Sequence, residues 1–480
     1  MTLLVVDVGT SGLRAAIVRA DRTVDHVVYR PFPPDTPFPG LVEVDAVRLA
    51  QLVLEVAGAA LAAGGPVEAV GITNQRATTV VWDRATGEPL GPALGWQDLR
   101  TIVECLTLAG QGLRFAPNQS ATKLAWLLDT YDKERQRDLC FGTIDTWLVW
   151  TLTGGALHVT DRSNAAVTGL LRSDASDWDD HVLEVLRVPR AMLPRLVDSS
   201  GVLGPATALA GAPPIAGLAG DQQASLMGQG GVVPGRAKAT FGTGGMLDLC
   251  TGPDAPTTAA RGKAGTFPIV AWSIGGKVTW GVEAIMLTAG ANIDWLVEDL
   301  GVLASPAESH EVAQRCADAG GVVYVPALLG LGTPAWDYGA RGTLLGLTRG
   351  SGRPEVVRAV LEGVAQRGAD LLEAAEADTG VAIASLRVDG GMSDNPTFVQ
   401  ALADATGRPV EVSPVVEATT VGAGILAGLA MGMWADVDEA AAGWSPRAIA
   451  EPGTPLDRDR WRDALTRASA WIPDLSALDF

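Results

Sequence analysis

The chain opens with a strand, a turn rich in glycine and threonine, and a second strand, and this order limits the possible folds more than any other feature. The apolar runs LLVVDV and LRAAIV flank the turn GTSG, and a third run, VDHVVYR, continues the pattern. Near Gly235 the stretch RAKATFGTGGMLDLC repeats it. β-Branched residues in the runs and glycine at the breaks are typical of antiparallel hairpins. The repeated opening predicts a duplicated α/β architecture.

A break rich in glycine and proline, between Gly228 and Val233, separates the two openings, so we place the halves at residues 1–229 and 230–480. A chain of 480 residues is too long for one compact core, which agrees with two domains. In the first half the sequence predicts a long apolar helix from about Asp45 to Ala63. In the second half it predicts helices over about 283–299, 307–318, 353–378, 395–406 and 418–434.

Charge and cysteine usage narrow the class of protein. The net charge of −19 argues against general nucleic-acid binding, which needs a basic surface. The 4 cysteines form no CxxC pair and the 4 histidines are scattered, so we predict reduced thiols in a cytoplasmic protein without a zinc site. Asp7 interrupts the N-terminal apolar run, and the longest apolar stretch, Val421 to Trp434, is shorter than the roughly 20 residues that span a bilayer. We therefore expect no membrane partner.

The first turn has the composition of a phosphate-binding loop. Its glycines allow positive φ angles and bring backbone amides close to an anion. Thr10 and Ser11 add hydroxyl donors, and Arg14 adds positive charge. Asp7, at the end of the preceding strand, is placed to hold a hydrated Mg²⁺ ion. An ordinary hairpin turn has the same composition, so this turn alone leaves both interpretations open.

Two further glycine turns strengthen the case for a nucleotide. The turn that contains Gly242 and Thr243 matches the first in composition and in its flanking strands. Gly391 and Asn395 lie between the strand LRV and a predicted helix, which directs backbone amides and a helix N-terminus toward a nucleotide. The three elements in this order are much more specific than any one of them.

Several longer motifs are spread nearly from end to end of the chain. They are GITNQRATTVVWD, GWQDLRT, FGTIDTWLVWTLTGG, HVTDRSNA, GLAGDQQASLMGQ, GLGTPAWDYGARGTLLGLTRG and LRVDGGMSDN. In these motifs the chain resembles the FGGY family of carbohydrate kinases, and within that family the glycerol kinases. The resemblance implies an α/β fold of two ribonuclease-H-like lobes, as in actin-like ATPases, with an ATP cleft between them. It also implies that a hydroxyl of a small polyol or sugar is phosphorylated with ATP and Mg²⁺.

The resemblance assigns roles to individual residues. Asp221, which follows the apolar run IAGLAG, corresponds to the general base that accepts the proton of the attacking hydroxyl. The alternative for an aspartate before QQASL is a helix N-cap. The implied nucleotide contacts are Thr10, Ser11, Arg14, Gly242 and Thr243 at the phosphates, and Gly391 and Asn395 on the adenosine side.

The substrate pocket departs from the glycerol kinase pattern. That pattern holds substrate with an Arg-Glu pair, a Trp, a Tyr, an Asp-Gln pair and a Phe. The chain keeps Arg76, Trp96, Asp221 and Gln222, whereas the Glu, Tyr and Phe positions hold Ala77, Asn118 and Met246. Ala77 cannot accept a hydrogen bond from a substrate hydroxyl, and such a loss can change selectivity by orders of magnitude. We expect a polyol or ketose of four or more carbons; a divergent glycerol kinase with a rebuilt pocket is the alternative.

Parts of the sequence also fit other classes of function. The motifs SATK at Ser120 and SDN at Ser393 resemble those of penicillin-binding acyl-enzymes, but no KTG triad is present and the motifs lie in opposite halves. An actin-like fold also occurs in ATP-driven switches without catalysis, and the retained Arg76, Trp96 and Asp221 favour an enzyme instead. Related kinases are often dimers or tetramers, and the sequence leaves a homodimer and a homotetramer both open.

Overall fold

The computed structural model describes residues 1–256, 260–415 and 417–479. The predicted second half, 230–480, includes residues 257–259, 416 and 480, which lie outside the described residues. The elements of the first half are β1 (Thr2–Val8), β2 (Gly12–Arg19), β3 (Val24–Pro31), β4 (Glu43–Val44), α1 (Ala46–Gly64), β5 (Ala69–Asn74), β6 (Val80–Asp83), β7 (Ala93–Leu94), α2 (Ile102–Ala109), α3 (Ala121–Tyr131), β8 (Leu139–Gly142), α4 (Ile144–Leu152), β9 (Val159–Asp161), α5 (Arg162–Ala166), α6 (Asp180–Val185), the 3₁₀ helix Arg190–Met192, β10 (Arg195–Val197), β11 (Ser200–Pro205), β12 (Pro214–Gly220) and α7 (Asp221–Gly228).

The second half again begins with strands and then becomes mainly helical. Its elements are β13 (Ala237–Phe241), β14 (Gly245–Gly252), β15 (Phe267–Ile274), β16 (Lys277–Met286), α8 (Ala291–Glu298), α9 (Glu308–Ala313), β17 (Val323–Val325), β18 (Thr343–Leu345), α10 (Arg353–Thr379), β19 (Leu386–Asp389), the 3₁₀ helix Gly391–Asp394, α11 (Pro396–Thr406), β20 (Val410–Val412), α12 (Ala418–Ala430), α13 (Val437–Ala441), β21 (Ala448–Ala450), α14 (Arg458–Ala468) and α15 (Pro473–Ser476).

The same strand arrangement occurs in both halves. In the first half, β1 pairs antiparallel with β2 and parallel with β5; β3 lies beyond β2, and β12 lies beyond β5. In the second half, β13 takes the position of β1, with β14 and β16 on one side and β19 and β20 on the other. This repeated order is that of a ribonuclease-H-like lobe, so the predicted α/β fold with two actin-like ATPase lobes is confirmed.

The two lobes share one continuous sheet. Thirteen described strands follow one another in the order β21-β20-β19-β13-β14-β16-β15-β11-β12-β5-β1-β2-β3. The lobes join where β11 meets β15, through the single pair Ser200 and Ile274. Apolar clusters lie on both lobes, and α10 is the central buried helix of the second. The carboxyl ends of β1, β5 and β12 therefore meet at one edge, and those of β13 and β19 at another.

Helix α1 is the one described helix that is long and apolar enough to cross a membrane by length and composition. Leu49, Val53, Val56 and Ala60 on this helix are fully buried, and they pack in the apolar cluster of the first lobe. The packing of α1 is thus that of a core helix.

Helix α12 packs closely against α7, β12 and β1. A Cβ atom on Gly422 would collide with the carbonyl of Ala224, so the small residues of α12 are required for this close approach of two helices. Through this packing, Thr420 reaches the carboxylate of Asp7 at the end of β1. Helix α12 therefore connects the second half of the chain to the edge that carries the site.

The helix predicted over 283–299 was wrong at its beginning. Residues Lys277–Met286 form β16, which pairs with β14 on one side and β15 on the other, and the helix begins only at Ala291. The run KVTWGVEAIM gains two ladders of backbone hydrogen bonds in the sheet, and these override its helical pattern. The other predicted helices are present, as Ala46–Gly64, Glu308–Ala313, Arg353–Thr379, Pro396–Thr406 and Ala418–Ala430.

Candidate active site

The strand register of the first lobe brings three charged residues to one edge. Val8 of β1 lies beside Asn74 of β5, which lies beside Gly220 of β12. Asp7 is the next-to-last residue of β1, Arg76 lies two residues after β5, and Asp221 directly follows β12. Because the strands are parallel, these residues are close in space although they are far apart in sequence.

The Asp221 carboxylate is held from two directions and is partly accessible. Its Oδ1 atom accepts a hydrogen bond from the amide of Gln222 at 2.8 Å and lies 3.3 Å from Nε of Arg76. Gly220, not Asp221, occupies the N-cap position of α7, so the structural alternative of a capping aspartate is not realised. Burial raises the pKa of Asp221 above its usual value, although the charge of Arg76 opposes this effect. A carboxylate of raised pKa, 29% exposed, can accept a proton from a bound hydroxyl.

Asp7 lies at the same edge and interacts electrostatically with Asp221. Its carboxylate accepts a hydrogen bond from Thr420 at 3.4 Å and lies 3.7 Å from Nε of Arg14. Burial, with a smaller contribution from the charge of Asp221, raises the pKa of Asp7 to about 6, although Arg14 opposes the rise. A carboxylate whose charged form is destabilised by burial and by a second carboxylate suits a nearby divalent cation.

The donor set around Asp7 fits a hydrated Mg²⁺ better than a caged metal ion. Within the described residues no group of three or more His, Cys, Asp or Glu side chains could hold a metal. Mg²⁺ commonly keeps several waters and is held by one or two carboxylates together with phosphate oxygens. One buried carboxylate beside a phosphate turn matches this pattern.

The first glycine turn is hydrogen-bonded to Trp96, a predicted substrate residue. The amide of Gly9 donates to the carbonyl of Gly12 at 2.9 Å and closes the turn. The indole Nε1 of Trp96 donates to Oγ1 of Thr10 at 3.1 Å, so the hydroxyl hydrogen of Thr10 stays available to an anion. Ser11 is exposed beside it. The turn thus carries the hydroxyls of Thr10 and Ser11, and their contact with a phosphate stays a prediction.

Arg14 lies on β2 next to this turn, with its charge already paired. Its guanidinium forms ion pairs with Asp7 and with Glu417, and it lies over the ring of Tyr29. The sequence predicts a phosphate contact at Arg14. In this structure the guanidinium instead links β1 to the segment before α12, so a phosphate contact would compete with Glu417.

The second glycine turn is fixed through its carbonyl groups. The carbonyl of Gly242 accepts from the amide of Gly290 at 2.8 Å, and that of Thr243 accepts from the amide of Ala289 at 2.8 Å. The amides of Gly242 and Thr243 donate no hydrogen bond to any residue that the structure describes. A turn whose carbonyl groups are held by hydrogen bonds and whose amides are free to donate is typical of an anion site.

The third glycine turn lies against the second. Gly390 has a φ angle of 84°, and a Cβ atom there would lie 2.5 Å from the carbonyl oxygen of Phe241. Only glycine allows this approach, which places the 3₁₀ helix that begins at Gly391 beside the turn after β13. Asn395 caps α11: its side chain accepts from the amide of Phe398 at 3.1 Å and donates to Ser309 at 2.9 Å. The predicted nucleotide residues of this lobe therefore lie together.

Arg76 has a carboxylate partner that the sequence does not reveal. Its Nη2 atom lies 2.7 Å from Oε2 of Glu283, in the middle of β16. The nearby charges of Glu283, Asp221 and Asp248 raise the pKa of Arg76 above its ordinary value despite burial. The side chain of Glu283 is only 7% exposed, so it secures Arg76 rather than restoring the acceptor lost at Ala77.

Three charged residues lie in register across one face of the second lobe's sheet. Lys238 of β13 pairs with Asp248 of β14, and Asp248 pairs with Glu283 of β16. Nζ of Lys238 lies 2.7 Å from Oδ2 of Asp248, with both side chains fully buried, and it donates to Oε1 of Gln222 at 2.6 Å. The sequence analysis missed all three residues. Charged side chains at alternate positions of otherwise apolar strands are the signal that could have revealed them.

Helix α3 and the residue before it contact the loops of Ala77 and Trp96, which the sequence predicts as substrate positions. Ser120 donates to the carbonyl of Ala77 at 3.0 Å, and the buried Lys123 donates to the carbonyl of Trp96 at 3.1 Å. Asn118 is exposed three residues before the first residue of α3, whereas Ala77 is buried. Met246 is half-buried on β14, two residues from Asp248 and therefore on the same face of the sheet. The hydrogen bonds to α3 hold Ala77 and Trp96 beside the loop of Asn118, and Met246 belongs to the opposite lobe.

Comparison with known proteins agrees with this geometry. Residues 2–228 match the family model of the N-terminal domain of the FGGY family of carbohydrate kinases, and residues 237–431 match that of its C-terminal domain. The chain belongs to the FGGY family of carbohydrate kinases. A glycerol kinase of Aromatoleum aromaticum is 42% identical to this FGGY kinase, over 98% of this chain and 99% of the relative. Glycerol kinase 2 of Thermotoga maritima is 41% identical, again over 98% and 99%.

Solved structures give the same result for the fold. The crystal structure of Plasmodium falciparum glycerol kinase with ADP superposes with a TM-score of 0.90, at 27% identity, covering 97% of this chain and 98% of that one. A xylulose kinase of Brucella ovis superposes with a TM-score of 0.86 at 25% identity, with both chains fully covered. This FGGY kinase is accordingly an ATP-dependent phosphotransferase that acts on an alcohol group.

Proposed function

We propose that this kinase phosphorylates a hydroxyl of a polyol or ketose of four or more carbons, with Asp221 as the general base. The observation that carries the proposal is the partly buried edge between the lobes, where Arg76 contacts both Asp221 and Glu283 of β16 and Gln222 contacts Lys238 of β13. Substrate contacts at Arg76, Trp96, Asp221 and Gln222 follow the glycerol kinase pattern. Changes at Ala77, Asn118 and Met246 set the preference for a longer substrate.

The chemical step needs one proton acceptor and one in-line attack. The substrate hydroxyl transfers its proton to Asp221 as its oxygen bonds to the γ-phosphorus, and the bond from that phosphorus to the bridging oxygen of ADP breaks. Burial favours the protonated form of Asp221, which raises its basicity and suits it to this task. Arg76, 3.3 Å away, keeps the carboxylate oriented before transfer.

The phosphate groups of ATP are held by this chain's glycine turns. Thr10, Ser11, Gly242 and Thr243 offer hydroxyls and unpaired amides, with Arg14 beside them once it leaves Glu417. Gly391 and Asn395 belong to the adenosine side. Asp7 would hold a hydrated Mg²⁺ ion, and a bound Mg²⁺ neutralises charge on the phosphate oxygens.

The pocket changes support a substrate with more atoms than glycerol. A methyl group at Ala77 and an amide at Asn118 occupy less volume than the Glu and Tyr side chains of the pattern. Asn118 is exposed and carries both a donor and an acceptor for an additional hydroxyl. A glycerol kinase is the second candidate, because the relatives at 42% and 41% identity carry that name.

The test is ADP release from ATP and Mg²⁺ with glycerol, erythritol, the pentitols, the hexitols and a set of ketoses. We expect one compound of four or more carbons to give the highest kcat/KM. Highest efficiency with glycerol would establish the second candidate instead. The Asp221→Asn variant is the control for background ATPase, and turnover retained in that variant would refute the base assignment.

Three further features belong to the same proposal. The lobes divide at residues 229 and 230, the kinase functions in the cytoplasm, and it forms a homodimer or homotetramer. All four cysteines are free thiols, which supports a reducing compartment. Sedimentation analysis of the purified protein measures the oligomeric state directly.

A further inference from the structure

We infer that the buried Lys238–Asp248 pair is a positioning device that fixes the side-chain amide of Gln222 as a hydrogen-bond donor to substrate. The inference rests on the proposed function, which places Gln222 against the substrate. It adds that two residues of the opposite lobe, neither of which touches substrate, decide what Gln222 can recognise.

The ammonium group of Lys238 is fully enclosed by polar partners. Nζ lies 2.7 Å from Oδ2 of Asp248, 2.6 Å from Oε1 of Gln222 and 3.1 Å from Oγ1 of Thr240. An ammonium has three N–H donors and no acceptor. Lys238 uses two donors in its hydrogen bonds to Gln222 and Thr240, and Asp248 adds an ion pair from a third direction. The position of Lys238 is therefore fixed on all sides.

The chemistry of this contact determines the orientation of the Gln222 amide. An ammonium can only donate, so the carboxamide oxygen of Gln222 must be the atom that faces Lys238. The NH₂ group is then at the other end of the carboxamide, away from Lys238. Gln222 is half-buried, directly after Asp221. Its free end can serve only oxygen atoms that accept, such as a carbonyl or a hydroxyl lone pair.

Asp248 is what permits a buried ammonium at this place. A lone charge in a protein interior is strongly disfavoured unless it is paired. Asp248 lies directly across from Lys238 in the register of β13 and β14, and both side chains are fully buried. Without Asp248, Lys238 would be a buried ammonium without its ion-pair partner and would lose its position, and the Gln222 amide would be free to turn over. The pair therefore acts through Gln222.

A double-mutant cycle on KM tests this inference. The variants are Gln222→Ala, the neutral pair Lys238→Met/Asp248→Leu, and the triple combination, assayed with whichever of glycerol, erythritol, xylitol and D-xylulose wild type uses best. We expect Gln222→Ala and the neutral pair each to raise KM about tenfold, as for loss of one well-placed hydrogen bond. The triple variant should not exceed Gln222→Ala, because both changes remove the same contact. With Asp221 intact, kcat should stay within about threefold.

A purely structural role gives a different result. In that case the effects of Gln222→Ala and of the neutral pair on KM would multiply in the triple variant. Alternatively, the neutral pair would lower kcat and kcat/KM for every substrate, whether or not Gln222 is present. Unchanged KM in the neutral pair would also overturn the inference. Thr240→Val is the matched control, because it removes the third partner of Lys238 but leaves Gln222 and Asp248 in place; its KM should change less than twofold.

A crystal structure of the neutral-pair variant separates this inference from the proposed function. If no compound is turned over, the proposed function fails, and the side-chain conformation of Gln222 still decides the positioning role. We expect the carboxamide of Gln222 to adopt a new rotamer or to lose defined density in the variant. A carboxamide that stays in place without Lys238 would refute the inference whatever the kinetics show.

Discussion

Replacing Glu283 with glutamine should move the acidic limb of the pH profile to lower pH. The Arg76 guanidinium joins two carboxylates, with Nε 3.3 Å from Asp221 and Nη2 2.7 Å from Glu283. The charge of Glu283 raises the pKa of Asp221, and that of Arg76 lowers it. Glu283→Gln removes the charge that raises the pKa of Asp221. It also leaves Asp221 without a second carboxylate that competes for the Arg76 guanidinium. Both consequences lower the pKa of Asp221.

The expected size follows from the geometry of the bridge. Two carboxylates on opposite sides of one guanidinium are on the order of 7 Å apart, and at an effective dielectric constant of about 20 they repel by about 2 kcal/mol. That energy corresponds to roughly 1.5 pKa units. Because 29% of the Asp221 side chain is exposed, solvent screening reduces the effect, and we expect a shift of about one unit.

The assay is kcat/KM between about pH 4 and pH 9, with ADP detected directly. A general base works only when ionised, so kcat/KM falls as the pH drops through the pKa of Asp221, and a lower pKa moves this fall to lower pH. Glu362→Gln is the matched control, since Glu362 pairs with Arg358 at 2.8 Å elsewhere in the second lobe. A limb that stays in place, or that moves to higher pH, would refute the electrostatic link between Glu283 and Asp221.

Asp7 needs a separate control in the same experiment. Its pKa of about 6 places its titration in the range of the assay. If the acidic limb reflects the titration of Asp7, it should move to lower pH as the Mg²⁺ concentration rises, because the ion binds only the ionised carboxylate. If the limb reflects the titration of Asp221, the displacement caused by Glu283→Gln should persist at saturating Mg²⁺.

Three further predictions concern other parts of the site. Asp7→Asn should raise the Mg²⁺ concentration for half-maximal activity by at least about tenfold, measured by Mg²⁺ titration of ADP release; an unchanged requirement would exclude Asp7 as the metal residue. Ala77→Glu restores an acceptor, so kcat/KM for glycerol relative to erythritol should rise by about tenfold or more, and a constant ratio would show that Ala77 does not set selectivity. Gly390→Ala forces a Cβ atom against Phe241 at a φ angle of 84°, so it should lower the free energy of unfolding by about 2 kcal/mol or more, measured by denaturant unfolding; wild-type stability would contradict the strain.

Local sequence signals predicted the strand-turn-strand openings of both lobes and the glycine turns that the structure contains. Glycine at sharp turns and β-branched residues in short runs determine the hairpins β1–β2 and β13–β14, and both were predicted. Asp7 and Asp221 were selected because each lies at the end of an apolar run, and the family resemblance added the role of Asp221; both roles stay predictions. The third turn was found because Gly390 and Gly391 interrupt a strand before a helix.

The sequence could not reveal the charged face behind the substrate pocket, for two physical reasons. Glu283 was assigned to a helix, because the tertiary pairing of β16 with both β14 and β15 overrides local preference. The contacts of Arg76 with Glu283 and of Gln222 with Lys238 also join different lobes, so no local pattern contains both partners. Only the register of three strands shows that Lys238, Asp248 and Glu283 share one face.

This face contradicts the rule that like charges avoid direct cross-strand positions. Asp248 and Glu283 lie opposite each other in β14 and β16, an arrangement that is destabilising by itself. It persists because Lys238 neutralises the first carboxylate and Arg76 the second, and Arg76 comes from the other lobe. Buried ion pairs are often no more stable than apolar residues of similar volume. If the cluster serves substrate positioning rather than folding, Lys238→Met/Asp248→Leu should therefore retain wild-type thermal stability while its KM rises. A structural role would instead change thermal stability together with KM.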